Sequence, residues 1–387
     1  MAKLGEVCAE KIETLDAKYS GKIDYIDISA VDNCEKKIVQ IQEISAKDAP
    51  SRAKQVIQDG DVIVSLVRPN LNAVAIVEEQ NENLQVASTG YCVLRSKPKI
   101  YNRYLFNFCQ SDTFINKMAS QATGASYPAV SNSIVKSCEI PLPNLNQQKR
   151  VADILDKVSD LISCRKQQLV KLDELVKARF VEMFGDMLLN SLGWSEKPLE
   201  CLADIVSGIT KGRKTTETDL QEVPYMAVSN VKNGYIDWTT VKTILATRQE
   251  IEQYRLLPDD ILMTEGGDPD KVGRGAIIKN PLENSIHQNH IFRVRLDESE
   301  LLPSFFAEYL QHQKAKRYFL GCAKQTTGIA SINMRQLKAL PVLVPPLSLQ
   351  KDFASFVERV DQQKQNVQQS LEKLELIKKA LMQEYFG

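Results

Sequence analysis

The chain has 387 residues, more than a single hydrophobic core normally serves, so two domains with connecting elements are expected. Hydrophobic residues make up 43% and charged residues 25% with no low-complexity tract, which excludes a disordered or fibrous chain. Lys+Arg and Asp+Glu both number 49, and this balance excludes the basic excess of a free-standing nucleic-acid binder while leaving local basic patches open.

The 8 cysteines are scattered without a CxxC, the pattern of reduced, packed thiols in a cytoplasmic protein. No apolar run approaches the ~18 residues of a membrane span, and the first residues, MAKLGEVCAEKIETLD, lack the apolar core of a signal peptide.

Residues 1–142 read as a mixed α and β segment. YIDISAV (25–31) alternates and is β-branched, as a strand should be. DVIVSLV (61–67) and AVAIVE (73–78) flank RPNLN, giving a strand, a polar tip and a strand; YCVLR (91–95) is another strand. Residues 102–121 show helical spacing, with Tyr104, Leu105, Phe108, Phe114, Ile115 and Met118 on one side. A Gly/Pro-punctuated loop, TGASYP (123–128), follows.

Residues 143–185 form a long helical stretch, PNLNQQKRVADILDKVSDLISCRKQQLVKLDELVKARFVEMFG. It returns without a gap at 345–387, an offset of 387 − 185 = 202 residues, with 15 identities that include Gln148/Gln350, Leu172/Leu374, Phe184/Phe386 and Gly185/Gly387. The chain is therefore two halves, each a globular segment followed by a long helix. Between the helices, residues 188–343 repeat the first segment more loosely. VPYMAVSNV (223–231) answers DYIDISAVD, residues 259–278 answer the strand–tip–strand with a longer Gly-rich tip, and IHQNHIFRVR (286–295) answers VASTGYCVLR, aligning Arg295 with Arg95. A helix is expected over 304–320, and QTTGIASINM sits where ATGASYPAV sat.

Heptad counting finds one full apolar stripe per helix: Leu155, Ile162, Leu169, Val176 and Met183 in the first, Phe353, Val360, Val367, Leu374 and Leu381 in the second. Two such stripes can face each other. Because the second segment starts near the end of one helix and finishes at the start of the other, the pair is expected to run antiparallel. Residues 147–184 would span about 57 Å at roughly 1.5 Å per residue. The expected fold is α+β: recognition-type domains at 1–142 and 188–343, with spacer helices at 143–187 and 344–387.

Catalytic signatures are missing. SGITKGRKT (207–215) has two glycines but no GK[ST], and no GxGxxG is present. His287 and His290 form HxxH, yet the remaining histidine is His312 and no cysteine cluster is nearby, so no metal site is expected. Pro258-Asp259 followed by Glu265 lacks the lysine of a nuclease centre. What remain are polar and basic loop side chains: Arg52, Lys54, Arg68, Asn70, Asn72, Thr123, Ser126 and Tyr127 in the first segment, and Lys211, Arg213, Lys214, Lys271, Arg274, His287, Gln288, Asn289, His290, Lys324, Gln325 and Thr326 in the second. Arg, Asn, Gln and His suit base edges and Lys and Thr suit phosphates, so these positions are the candidate contacts for a chain that binds DNA, although loops are commonly polar in any case.

This layout resembles the DNA-specificity (S) subunit of Type I restriction–modification systems. The resemblance rests on the lead-ins PLPNLNQQK (141–149) and PPLSLQK (345–351), the helix ends FVEMFGD and LMQEYFG, the restart GWSEKPLECLADIVSGITKG (193–212), and Thr123-Gly124 and Thr327-Gly328 before the helices. It implies a chain that is not catalytic by itself. Each domain would read one half of a bipartite, asymmetric site in double-stranded DNA, and the helices would set the gap and dock two methyltransferase subunits, joined by restriction/translocase subunits in the full complex. S-adenosylmethionine, ATP and Mg²⁺ would then belong to those partners, with no cofactor on this chain. The alternatives are a two-headed adaptor for other ligands and a self-contained DNA-modifying enzyme.

Overall fold

The computed structural model describes residues 1–78, 83–213, 218–268, 271–326 and 329–387, with the backbone alone of Gln325, Thr326 and Ile329. Contacts divide the chain into two units, one of Met1–Gln168 with Val367–Gly387, the other Leu169–Asn366. Two helices of 40 residues, Leu145–Phe184 and Leu347–Phe386, each contribute one part to each unit. The architecture is α+β.

In the first unit, runs rich in β-branched and aromatic residues form a four-stranded and a three-stranded sheet, beside two short two-stranded pairs. One orders Gln42–Ser45, Lys22–Ile26, Leu84–Ser88 and Ala53–Val56, with Lys22–Ile26 and Leu84–Ser88 parallel. The other is antiparallel, with Val62–Ser65 between Tyr91–Leu94 and Val74–Ile76. The helix expected over 102–121 is two helices, Asn102–Phe108 and Asp112–Ser120. The break falls at Ser111, whose hydroxyl accepts from the Phe114 N–H and caps the second helix, because serine satisfies an exposed helix start better than it continues a helix. These helices bury Tyr104, Leu105, Phe108, Phe114 and Met118 in a core that also holds Leu155, Met382 and Phe386.

The second unit repeats the plan. Leu220–Met226 runs parallel to Ile286–His287. Ile261–Thr264 lies between Ile291–Leu296 and Gly275–Ile277. The expected 304–320 helix is again two, Pro303–Gln311 and Gln313–Cys322, broken at His312, which caps the second.

Three buried connections recur in both units. Arg95 makes a two-pronged pair with Asp61 at 3.0 and 2.8 Å, and Arg295 does the same with Asp260 at 2.7 and 2.8 Å. The Tyr104 hydroxyl donates to the Pro141 carbonyl, as Tyr309 does to Pro341. Gln148 and Gln350, both fully buried, clamp each domain to the helix that follows it. Gln148 accepts from the Tyr101 N–H and donates to the Lys99 and Pro143 carbonyls; Gln350 accepts from the Leu302 N–H and donates to the Glu300 and Pro345 carbonyls. A buried amide that satisfies three backbone groups fixes an angle that apolar packing alone leaves adjustable.

The helices pair antiparallel within each unit. In the first, Phe386 packs on Tyr104 and Phe108 with ring centroids 5.1 and 5.6 Å apart, and shares its core with Ala152 and Leu155 near the start of the other helix. In the second, Phe184 packs on Phe305 and Phe353 at 4.7 and 5.4 Å, and Lys364 pairs with Asp173 at 2.6 Å. The heptad stripe needs a correction. Leu155, Ile162, Val176, Phe353, Val360 and Val367 are buried, whereas Leu169, Met183, Leu374 and Leu381 are half-buried. The buried positions leave the stripe at Leu172 and Leu371 and towards the helix ends become Phe180, Phe184, Met382 and Phe386. A straight α-helix drifts by ~20° per heptad, so its terminal turns rotate onto the domain aromatics rather than keeping the seam.

Candidate nucleic-acid interface

In the first unit two loops are joined into one surface. Val67 and Thr123 each bridge to Ala129, and the Arg68 N–H donates to the Pro128 carbonyl at 2.7 Å. The loop after Val62–Ser65 turns through Pro69–Leu71, a short 3₁₀ helix flanked by Arg68 and Asn72 in left-handed conformation. Gly124 has φ +107°, and a Cβ there would meet the Tyr127 carbonyl at 2.9 Å, so glycine is required for this loop to close. Arg68, Asn70, Thr123, Ser126 and Tyr127 are thereby brought together and exposed. Arg52 comes to the same edge through the turn at Thr89 and Gly90, since the Thr89 N–H donates to the Arg52 carbonyl and the Leu66 N–H to that of Gly90, each at 2.8 Å. Its guanidinium lies 3.9 Å from Asp27. Lys54 is exposed on the strand Ala53–Val56, its carbonyl taken by the Leu15 N–H. Asn72 corrects the sequence expectation: it is buried, donating to the Cys109 carbonyl at 2.8 Å and accepting from Lys36, so it ends a turn instead of facing a ligand.

The second unit joins four segments. Ile209 bridges Gln288 and its carbonyl accepts from the Asn289 N–H, the Glu265 N–H donates to the His290 carbonyl, and the Ile332 N–H donates to the Glu265 carbonyl. Gly266–Gly267 then pairs with Ile329–Ser331, which pairs with Lys324–Thr326. Lys211, Lys271, His290 and Lys324 are exposed, and Gln288, Asn289 and Arg274 are half-buried. Lys271 is paired with Asp268. Lys214 lies outside the described residues, as do Thr327 and Gly328, and the side chains of Gln325 and Thr326 are likewise not described.

Two further expectations are corrected here. His287 is fully buried, with Nδ1 3.1 Å from the Ile291 carbonyl, and burial pushes its pKa down from 6.5 to about 4. It is a neutral core residue whose ring cannot reach a base edge. Arg213 is engaged by both oxygens of Glu250, which caps Arg248–Tyr254 as well, and it donates to the Leu245 carbonyl. Its charge therefore holds a domain surface together. Sequence reading missed Glu265, whose carboxylate lies 2.6 Å from His290 Nδ1. It drew notice only as part of a failed nuclease motif. Among the described residues no group of three His, Cys, Asp or Glu side chains is placed to hold a metal ion, and no helix is long and apolar enough to cross a membrane.

Residues 1–174 and 192–376 match the model of the Type I restriction modification DNA specificity domain. Among curated relatives, the EcoKI specificity subunit of Escherichia coli (strain K12) is 22% identical over 80% of this chain and 69% of its own length. The StySPI specificity subunit of Salmonella potsdam is 25% identical over the same shares. A solved chain of a type I R-M system aligns over 100% of this chain and 96% of its own with a TM-score of 0.63 and 25% identity. The S subunit from M. genitalium, at 15% identity and a TM-score of 0.59 over 100% of this chain and 95% of its own, shares the fold.

Proposed function

We propose that this chain, which belongs to the Type I restriction modification DNA specificity family and is thereby a sequence-specific DNA-recognition subunit of a Type I restriction–modification system, reads a bipartite target with one half assigned to each domain. The observation that carries the reading is the doubled design: the same Arg–Asp pair, Tyr–Pro bond and Gln clamp build both domains, while most of the loop residues at the tips differ, as RPNLN does from EGGDPDKVGR. A duplicated frame with divergent tips is what two separate sequences demand of one scaffold. In the first domain Arg68, Asn70, Thr123, Ser126 and Tyr127, with Arg52 beside them, form the reading edge; in the second Lys211, Gln288, Asn289, His290 and Lys324 do so, with Glu265 orienting His290.

The paired helices set the spacing of the two halves and, with their near-repeated outer faces, dock two methyltransferase subunits. Those subunits hold S-adenosylmethionine, and restriction/translocase subunits hold ATP and Mg²⁺. Partner surfaces add the phosphate contacts that a chain of zero net charge does not supply in excess.

The test is co-expression of the chain with its methyltransferase partner, followed by purification and mapping of methylated sites. A stable complex with two methyltransferase chains and a two-part motif with an unspecified gap is expected. Methyl transfer by the purified chain alone, or a contiguous motif, would contradict the reading.

A further inference from the structure

The geometry points to Arg68 as the residue that reads a guanine in the first domain's half-site, with Tyr127 as the platform that fixes the guanidinium plane. This inference rests on the assignment of one half-site to each domain. The Arg68 guanidinium lies over the Tyr127 ring, 4.8 Å from its centroid. Among the described residues it has no carboxylate or hydrogen-bond partner, in contrast to Arg95, Arg213 and Arg295. Its donors are therefore free while its plane is held by stacking.

The backbone supports the same conclusion. Arg68 has φ +49°, a left-handed conformation that costs a non-glycine residue energy and persists where surrounding contacts enforce it. Those contacts are the Arg68 N–H to the Pro128 carbonyl at 2.7 Å and the Leu71 N–H to the Arg68 carbonyl at 2.9 Å. The second loop presents Tyr127, 68% exposed, by a turn that needs glycine at position 124. Two loops are thus locked together around one exposed arginine and one exposed ring.

Guanine fits this device better than a phosphate does. Residues 66–72 (LVRPNLN) and 123–130 (TGASYPAV) contain no other cation, and Arg52 at the same edge faces Asp27 at 3.9 Å, whereas a backbone-tracking surface gathers several free cations. A fixed, planar fork matches the two acceptors O6 and N7 that guanine alone presents in the major groove. At the corresponding edge of the second domain Lys271 and His290 are paired with Asp268 and Glu265, and among the described residues no arginine there is stacked on a tyrosine.

The test uses the complex of the full chain with its methyltransferase partner, on the target found by methylation mapping. Each guanine of the motif is replaced in turn by 7-deazaguanine, which lacks the N7 acceptor. Wild-type binding is expected to fall roughly 5- to 150-fold at one guanine of one half-site, and Arg68→Ala should abolish that sensitivity and make the position degenerate in its methylome. Tyr127→Phe should retain guanine preference, and Tyr127→Ala should weaken it. The inference is overturned if no guanine in either strand of that half-site responds in the wild type, which needs no variant to fold. It is equally overturned if Arg68→Ala weakens binding uniformly over all bases and lowers the salt dependence by about one phosphate contact. A wild-type complex with no two-part motif would instead defeat the half-site assignment itself.

Discussion

The two domains share their interior and differ at their rims. Inside, Arg95 and Asp61 correspond to Arg295 and Asp260, Gln148 to Gln350, and Phe386 on Tyr104 to Phe184 on Phe305. At the rim the first domain offers an unpaired arginine on a tyrosine, and the second a histidine held by a carboxylate. Frame residues answer to packing and hydrogen-bond satisfaction, which are the same problem twice. Rim residues answer to whatever each domain binds.

The largest expected effect comes from the helix ends. Phe386→Ala should destabilise the first unit and Phe184→Ala the second, each by about 3–5 kcal/mol, since a fully buried phenyl is replaced by a cavity. Native-state hydrogen exchange reads this unit by unit, and equal loss of protection in both units from either change would break the equivalence. The Gln clamps come next. Gln148→Leu or Gln350→Leu strands buried backbone groups and should cost about 2–4 kcal/mol, again in its own unit.

Acid separates the units by a different route, because the 3 histidines lie at 287, 290 and 312, all in the second. Folding keeps His287 neutral with a pKa of about 4, while the unfolded histidine protonates below 6.5. Its contribution is therefore intact above pH 6.5 and is lost as the pH falls towards 4, by up to about 3 kcal/mol. A pH series of hydrogen exchange should show the second unit weakening over that window, and His287→Phe should flatten the dependence. The smallest effect is at Arg213, where substitution by alanine should cost about 1 kcal/mol, the scale of a partly exposed ion pair, and leave the methylated motif unchanged. A changed motif would return Arg213 to the interface.

Much of this frame was legible in the sequence, because duplication writes it twice. The offset repeat exposes both helices and aligns Arg95 with Arg295, but it does not reveal the partner of either. The partners are hidden in the sequence because Asp61 and Asp260 lie just before the strands Val62–Ser65 and Ile261–Thr264, 34 and 35 residues away. His287 and His290 look alike in IHQNH, yet His287 is buried in a paired strand while His290 lies exposed in the turn before Ile291–Leu296. Arg213 stands in the sequence as a basic loop residue because its partner, Glu250, lies 37 residues away at a helix start. Tyr127 and Arg68 were both noticed, but their stacking depends on two loops 59 residues apart closing through Ala129. Local pattern reveals what a stretch becomes; which loop side chains remain free is settled by long-range contacts.

Methylation-site mapping of complexes carrying His290→Ala or Arg68→Ala tests the central claim most directly. The account predicts that each variant changes bases in a different half of the target and leaves the gap and the other half unaltered. Changes in both halves from either variant, or in the same half from both, would contradict it.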